Sequence, residues 1–129
     1  MVHLRTFFQA VVLSVSMLCV TGYAAAESVD LTPAEIQTLL TGNTAVGTWQ
    51  GQPYRQYFRE DGDTIYAPKG QRSTLGKWRI GATFETWWES DGWTSWGVAR
   101  DGHRLTWTGN GITPQAFEMV PGPQLLWPE

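Results

Sequence analysis

Acidic and aromatic residues near the middle of the chain have the types and spacing that could support catalysis. Glu85 and Glu89 lie four positions apart, with Trp87 between them. A pair of carboxylates beside an aromatic ring is the arrangement that glycosidases use. On an extended strand, however, this spacing separates the two backbones by about 13 Å, which is at or beyond the useful range. A carboxylate-dependent, glycosidase-type enzyme is therefore a minor alternative, and no catalytic residue is assigned.

Other catalytic and metal-binding chemistry lacks the residues that it needs. The chain has two histidines and one cysteine, and both His3 and Cys19 fall in a segment that we expect to be removed. The remaining histidine, His103, is not enough for a zinc cluster, and no serine lies in a nucleophile elbow. Phosphate-binding glycine loops and dinucleotide fingerprints are also missing. We expect a non-enzymatic protein with no metal and no cofactor.

The N-terminus has the three-part pattern of a secretory signal peptide. His3 and Arg5 precede an apolar run over residues 7–20, and small residues occupy positions 24–26. The apolar run is shorter than the roughly 20 residues of a comfortable membrane span. We expect cleavage near Ala26 and a periplasmic or secreted protein without stable membrane insertion.

The charge balance argues against nucleic acid as a partner. Nine basic and twelve acidic residues give a formal net charge of −3, and the sequence has no basic run. Proteins that bind nucleic acid usually present a basic patch or stripe. We therefore expect a small ligand or an envelope protein as the partner.

One short helix precedes a series of strands. Thr32 as N-cap, Pro33 at the first helical position and Glu35 as the partner in a capping box predict a helix over 33–40 that Gly42 ends. Asp-Gly pairs at 61–62, 91–92 and 101–102 are typical of hairpin turns. Strands are predicted at 45–50, 54–60, 63–68, 75–80, 83–90, 93–100, 103–108 and 115–120.

These elements predict an all-β fold, a small antiparallel up-and-down barrel of about eight strands with one short N-terminal helix. An open meander or a sandwich is the fallback. The domain organisation is then a signal peptide over 1–26, a helical lead-in over 27–42, the barrel over 43–121 and a C-terminal tail over 122–129.

The hairpin turns also predict which residues face each other. If Gly81-Ala82, Asp91-Gly92 and Asp101-Gly102 are two-residue loops, Trp87 faces Trp96, which in turn faces Trp107. Gly76 would then lie opposite Trp87 and leave room for its indole. On this register the inward residues, which are the ligand-binding candidates, are Trp78, Glu85, Trp87, Trp96, Arg100, His103 and Trp107.

The inward tryptophans have two interpretations. They fill the core of the barrel, or they line a pocket in which their rings stack on a sugar-like or apolar ligand. Glu85, Arg100 and His103 form a cluster at one rim, which is either a satisfied ion pair or an anchor for a polar ligand group. Trp88 and Trp93 fall on the outer face, where they could contact a partner protein.

The leading hypothesis is an exported non-enzymatic binding protein that holds a small apolar or aromatic-stacking ligand. The alternative is a protein-interaction module or an inhibitor of the cell envelope, with a fully packed core.

The segment Gly47-Thr48-Trp49 resembles the G-x-W motif in the first strand of lipocalins and related calycin barrels. The resemblance implies that Trp49 closes the barrel floor, that Gly47 allows a close strand crossing, and that the other mouth takes small apolar ligands. It covers Gly47 and Trp49 only, and the second and third family motifs are missing. The layout is similar as well to small uncharacterised secreted proteins of Gram-negative bacteria, which implies no activity.

Overall fold

The computed structural model describes residues 27–128, which form a closed barrel of eight antiparallel strands with one extra strand and one short helix. The predicted all-β barrel is confirmed. The expected signal peptide and its cleavage site near Ala26 lie outside the described residues. The elements in chain order are β1 (Val29–Asp30), α1 (Pro33–Leu40), β2 (Asn43–Trp49), β3 (Gln52–Phe58), β4 (Asp63–Pro68), β5 (Thr74–Ile80), β6 (Phe84–Trp88), β7 (Gly92–Asp101), β8 (Arg104–Thr108) and β9 (Gln115–Pro121).

The barrel has an up-and-down topology. Each strand from β2 to β9 pairs antiparallel with its neighbours in sequence, and β9 pairs with β2 to close the ring. Closure removes the free strand edges that an open sheet would leave. The extra strand β1 pairs with the second half of β7, where Val29 lies opposite Arg100. Within residues 27–128, no helix is long and apolar enough to cross a membrane.

Helix α1 covers one end of the barrel, called here the closed end. Its capping box forms as predicted, since Glu35 N–H donates to Thr32 Oγ1 at 3.2 Å and Thr32 N–H donates to Glu35 Oε1 at 3.1 Å. Ile36 and Leu40 are buried in the same apolar cluster as Phe58. The turns at 59–62, 81–83 and 102–103 lie at this end, and those at 50–51, 69–73, 89–91 and 109–114 lie at the opposite, open end.

Two hairpin turns are longer than the predicted two residues. Ile80 pairs with Phe84, and Trp88 pairs with Gly92, so each turn contains three residues instead of two. Gly92 has the positive φ (67°) expected of a glycine, but it ends the turn and does not occupy its centre. Changing a loop length by one residue moves the side chains of the next strand to the other face.

The two extra residues have opposite effects on which face points inwards, so β7 keeps its predicted inward face. Only β6 has its two faces exchanged relative to the prediction. Phe84, Thr86 and Trp88 point into the barrel, whereas Glu85 and Trp87 point outwards. The turn between β7 and β8 has two residues as predicted, but they are 102–103, between the paired Asp101 and Arg104, and not 101–102. The predicted pairing of Trp87 with Trp96 is therefore wrong, and so is that of Trp96 with Trp107: Trp96 pairs with Phe84, and Trp107 with Val98.

Gly76 does make room for an indole, but the indole belongs to Trp88. A Cβ added at Gly76 would lie 2.5 Å from Trp88 Cζ3 and 2.7 Å from the carbonyl oxygen of Trp87. The Trp88 ring thus passes over β5 and reaches Tyr66 on β4, with ring centroids 6.1 Å apart. The missing side chain lets two aromatic rings on non-adjacent strands touch.

The C-terminal tail packs on the outside of the barrel. Thr44 Oγ1 donates to the carbonyl oxygen of Gly122 at 2.6 Å, and Gln124 N–H donates to Thr44 Oγ1 at 2.9 Å. The Trp127 ring lies 5.1 Å from the Arg55 guanidinium and 5.8 Å from Lys69 Nζ. These contacts bind the tail to β2, β3 and the end of β4.

Replacing Gly76 tests the packing of Trp88 over β5. We expect Gly76→Ala to lower the free energy of unfolding by about 1–3 kcal/mol, because the new methyl group overlaps the indole. Gly81→Ala is the matched control, since a Cβ there would meet nothing within 4 Å. Urea denaturation measures both variants. Equal stability of Gly76→Ala and the unsubstituted protein would contradict this packing.

Candidate functional site

A layer of aromatic rings crosses the middle of the barrel. Trp107 and Phe117 stack with ring centroids 3.9 Å apart and planes 12° from parallel. Phe84 stacks on the same indole at 5.9 Å, and Phe58 lies 6.2 Å from it. Between this layer and α1, buried apolar side chains such as Val98 belong to the hydrophobic core. The closed half of the barrel therefore holds much of that core.

A buried hydrogen bond holds this layer in place. Trp107 Nε1–H donates to the hydroxyl of Tyr54 at 2.7 Å, and Tyr54 is only 1% exposed. Burial raises the pKa of Tyr54 to about 12, an increase that the hydrogen bond from Trp107 partly opposes. Gly47 makes space for this pair, because a Cβ there would lie 3.1 Å from Tyr54 Oη and 2.9 Å from the Ala116 carbonyl oxygen. Gly47 thus allows Tyr54 and β9 to approach β2 closely.

On the other side of this layer, towards the open end, the barrel contains a pocket of about 400 Å³. The aromatic layer forms its floor, aromatic side chains from several strands form its walls, and a few polar groups lie among them. The lining residues are Trp49, Tyr54, Gln56, Phe58, Tyr66, Thr74, Phe84, Thr86, Trp88, Ser90, Asp91, Trp96 and Trp107.

Trp49 belongs to the wall of this pocket and not to the barrel floor. It is the last residue of β2, beside the turn to β3 at the open end, whereas α1 closes the opposite end. Its ring meets Trp96 across the barrel, with centroids 5.6 Å apart and planes at 86°. The expectation that Trp49 closes the floor is wrong, because in this chain α1 covers that end.

Hydrogen bonds orient the polar and aromatic groups of the walls. Trp96 Nε1–H donates to Thr86 Oγ1 at 2.8 Å, which fixes the position of that indole. Gln56 Nε2 donates one of its two hydrogens to Thr64 Oγ1 at 3.1 Å, so that its other N–H and its side-chain oxygen are both available to a ligand. Ser90 and Asp91 are exposed in the turn after β6, at the mouth. Rigid aromatic walls with a few polar groups are typical of small-molecule sites.

The structure brings some of the predicted ligand-binding residues to the pocket and not others. Trp96 and Trp107 line it. Trp78 is buried in the closed half, where its Nε1–H donates to the Arg59 carbonyl oxygen at 2.8 Å. Trp87 lies on the outer face because β6 is inverted, and its place is taken by Trp88.

The predicted rim cluster does not assemble. Glu85 lies on the outer face and forms an ion pair with Arg79 at 2.8 Å. Arg100 is exposed beside β1, and His103 is exposed in the turn between β7 and β8. Glu89 is exposed in the turn after β6, so the carboxylates of Glu85 and Glu89 do not share the pocket wall that a glycosidase mechanism requires.

The predicted partner patch is divided between the two faces of the sheet. Trp88 is inside the barrel, whereas Trp93 is outside and 40% exposed. The outer neighbour of Trp93 is Trp87, its partner across the β6–β7 pair. The Arg79 guanidinium lies 3.8 Å from the centroid of the Trp93 ring.

Several lining residues were missed from the sequence. Tyr54, Gln56 and Phe58 alternate along β3, and Tyr66 follows the same period on β4. This alternation is the signal that could have placed them inside. Phe84 was missed because its inward orientation depends on the length of the turn between β5 and β6. Among residues 27–128, no three His, Cys, Asp or Glu side chains are placed to hold a metal ion.

No protein-family model matches the chain, and comparisons with curated proteins and with solved structures likewise found no match. The geometry of the pocket is therefore the basis for a functional proposal.

The raised pKa of Tyr54 predicts a loss of stability at high pH. In the folded protein the phenol keeps its proton up to about pH 12, whereas in the unfolded chain it loses it near its ordinary value of 10.0. The unfolded state then binds fewer protons, so the free energy of unfolding falls as pH rises between these values, by at most about 1.4 kcal/mol per pH unit. Burial also raises the pKa of Tyr66, which adds a contribution of the same sign.

Tyr54→Phe tests this contribution. We expect the variant to be about 1–3 kcal/mol less stable near neutral pH, because Trp107 Nε1–H loses its acceptor. We also expect its stability to fall less steeply above about pH 10. Urea denaturation at several pH values measures both effects, and an unchanged pH slope would contradict the assignment to Tyr54.

Proposed function

We propose that this protein is an exported, non-enzymatic binding protein that holds a small apolar or flat ligand in the open half of its barrel. The observation that carries the proposal is the pocket of about 400 Å³ with aromatic walls. Small-molecule sites typically have volumes of about 300–1,000 Å³ and predominantly apolar linings with a few polar groups. The pocket meets both criteria.

The rings of the pocket are held in place before any ligand arrives. The hydrogen bonds of Trp96 to Thr86 and of Trp107 to Tyr54 limit the rotation of both indoles. Trp88 is confined over Gly76. A ligand that stacks on these rings would immobilise few additional side chains, so less of the contact energy is offset by lost entropy.

The proposed export of the protein and its proposed relation to lipocalins rest mainly on the sequence. The pattern over residues 1–26 supports export to the periplasm or beyond. The eight-stranded antiparallel barrel is consistent with a lipocalin-like small barrel, and Gly47, close to Tyr54 on the paired strand, is compatible with that relation. Ligand entry through the open end is supported by the position of the mouth, between the turns at 69–73 and 89–91.

A second candidate is an interface with another protein. It is favoured by two exposed apolar side chains on the outer face, on the strands that flank β6: Leu75 (63% exposed) on β5 and Trp93 (40% exposed) on β7. Exposed aromatic side chains are enriched in protein interfaces. This surface excludes Trp88, which points into the barrel.

Ligand binding is tested by intrinsic fluorescence of the protein expressed from the full chain and purified as the host processes it. The ligands are a panel of sugars, fatty acids and aromatic compounds. We expect a saturable change with at least one aromatic or apolar compound. Trp88→Phe should weaken that binding about three- to tenfold, because the smaller ring loses stacking area. Trp87→Phe, on the adjacent residue of the same strand but on the outer face, should leave it unchanged.

The two variants separate the candidates. Equal weakening by Trp87→Phe and Trp88→Phe would contradict a pocket site. If no compound of the panel changes the fluorescence, while the same sample unfolds cooperatively, the proposed ligand binding is overturned and the outer face is favoured as an interface.

A further inference from the structure

From the chemistry of the pocket lining we infer that the ligand is an organic cation, an aromatic or methylated ammonium compound, held between aromatic faces with its positive charge towards Asp91. This inference rests on the proposed binding function. Among residues 27–128, Asp91 is the one charged residue that lines the pocket. Neither lysine nor arginine is part of the lining.

Two pairs of aromatic rings in the pocket lining stand nearly perpendicular. Trp49 and Trp96 meet at 86°, and Tyr66 and Trp88 meet at 71°. All four residues line the pocket. An aromatic face is negative and attracts a cation within about 6 Å, and cages of aromatic rings are used to recognise quaternary ammonium groups. Here the four rings come from four strands.

The polar groups of the pocket can accommodate a positive charge. Gln56 gives one N–H to Thr64 and keeps its side-chain oxygen free, together with a second N–H. That oxygen can face a positive group. At the mouth, Asp91 adds a carboxylate that is exposed and therefore interacts with a cation across partly hydrated space.

The basic residues near the open end do not alter this balance. Lys69 Nζ lies over the Trp127 ring on the outside of the barrel. Arg72 is exposed in the turn at 69–73 and does not line the pocket. An anionic ligand would lose its hydration in the aromatic pocket without gaining a positive partner there, which is unfavourable.

Two ligands of the same shape test the inference. Meta-hydroxyphenyltrimethylammonium and meta-tert-butylphenol differ in the replacement of the cationic nitrogen by carbon. Calorimetric titration of the processed protein measures both dissociation constants. We expect the cation to bind about tenfold more tightly than its neutral counterpart.

The matched variants are Asp91→Asn and Glu89→Gln, two carboxylates in the same turn of which only Asp91 lines the pocket. Asp91→Asn should weaken binding of the cation about threefold and leave the neutral compound unchanged. Glu89→Gln should change neither.

Each outcome decides a different point. If the neutral compound binds as tightly as the cation, the inference is overturned and ligand binding stands. If Asp91→Asn and Glu89→Gln have the same effect on the cation, the role of Asp91 is overturned. If neither compound binds and no compound of the wider panel changes the fluorescence, the proposed function itself is overturned.

Discussion

The stack of Trp107 on Phe117, with the hydrogen bond from Trp107 to Tyr54, is the interaction on which the rest of the barrel depends. These side chains come from three strands, β8, β9 and β3, and they cross the interior at its middle. On one side of them core side chains extend to α1, and on the other side lies the pocket. Losing the Trp107 indole would leave the buried hydroxyl of Tyr54 without its donor.

The open half exists because small residues alternate with large ones on its walls. An eight-stranded barrel is only just wide enough for its side chains to fill it. Gly76 and Thr86 lie beside Trp88 on the inner face, and Gly47 lies beside Tyr54. Trp88 leans over Gly76, and the Tyr54 hydroxyl lies against Gly47, so these two rings stay close to the wall. The same packing limits their movement, which favours binding of a flat ligand.

Because a helix covers one end of the barrel, the pocket opens at the other end. Ile36 and Leu40 occupy the closed end, so the mouth lies between the turns at the other end. The carboxylate of Asp91 lies at this mouth, and aromatic side chains line the pocket behind it. The lining and the charge therefore support the same class of ligand. On the outside, the ion pair of Glu85 with Arg79 stabilises the inverted strand β6 without contributing to the pocket.

The sequence by itself determined α1 with its capping box, the approximate positions of the barrel strands and the inward faces of β5, β7 and β8, because caps and two-residue alternation are local signals. Only the tertiary structure decided which face of β6 is inside. Turns of two and three residues are both compatible with an Asp-Gly pair, and the choice follows from packing that places Trp88 over Gly76. Only the tertiary structure decided, too, that a cavity remains, since its volume depends on contacts between residues distant in sequence, such as Trp49 and Trp96.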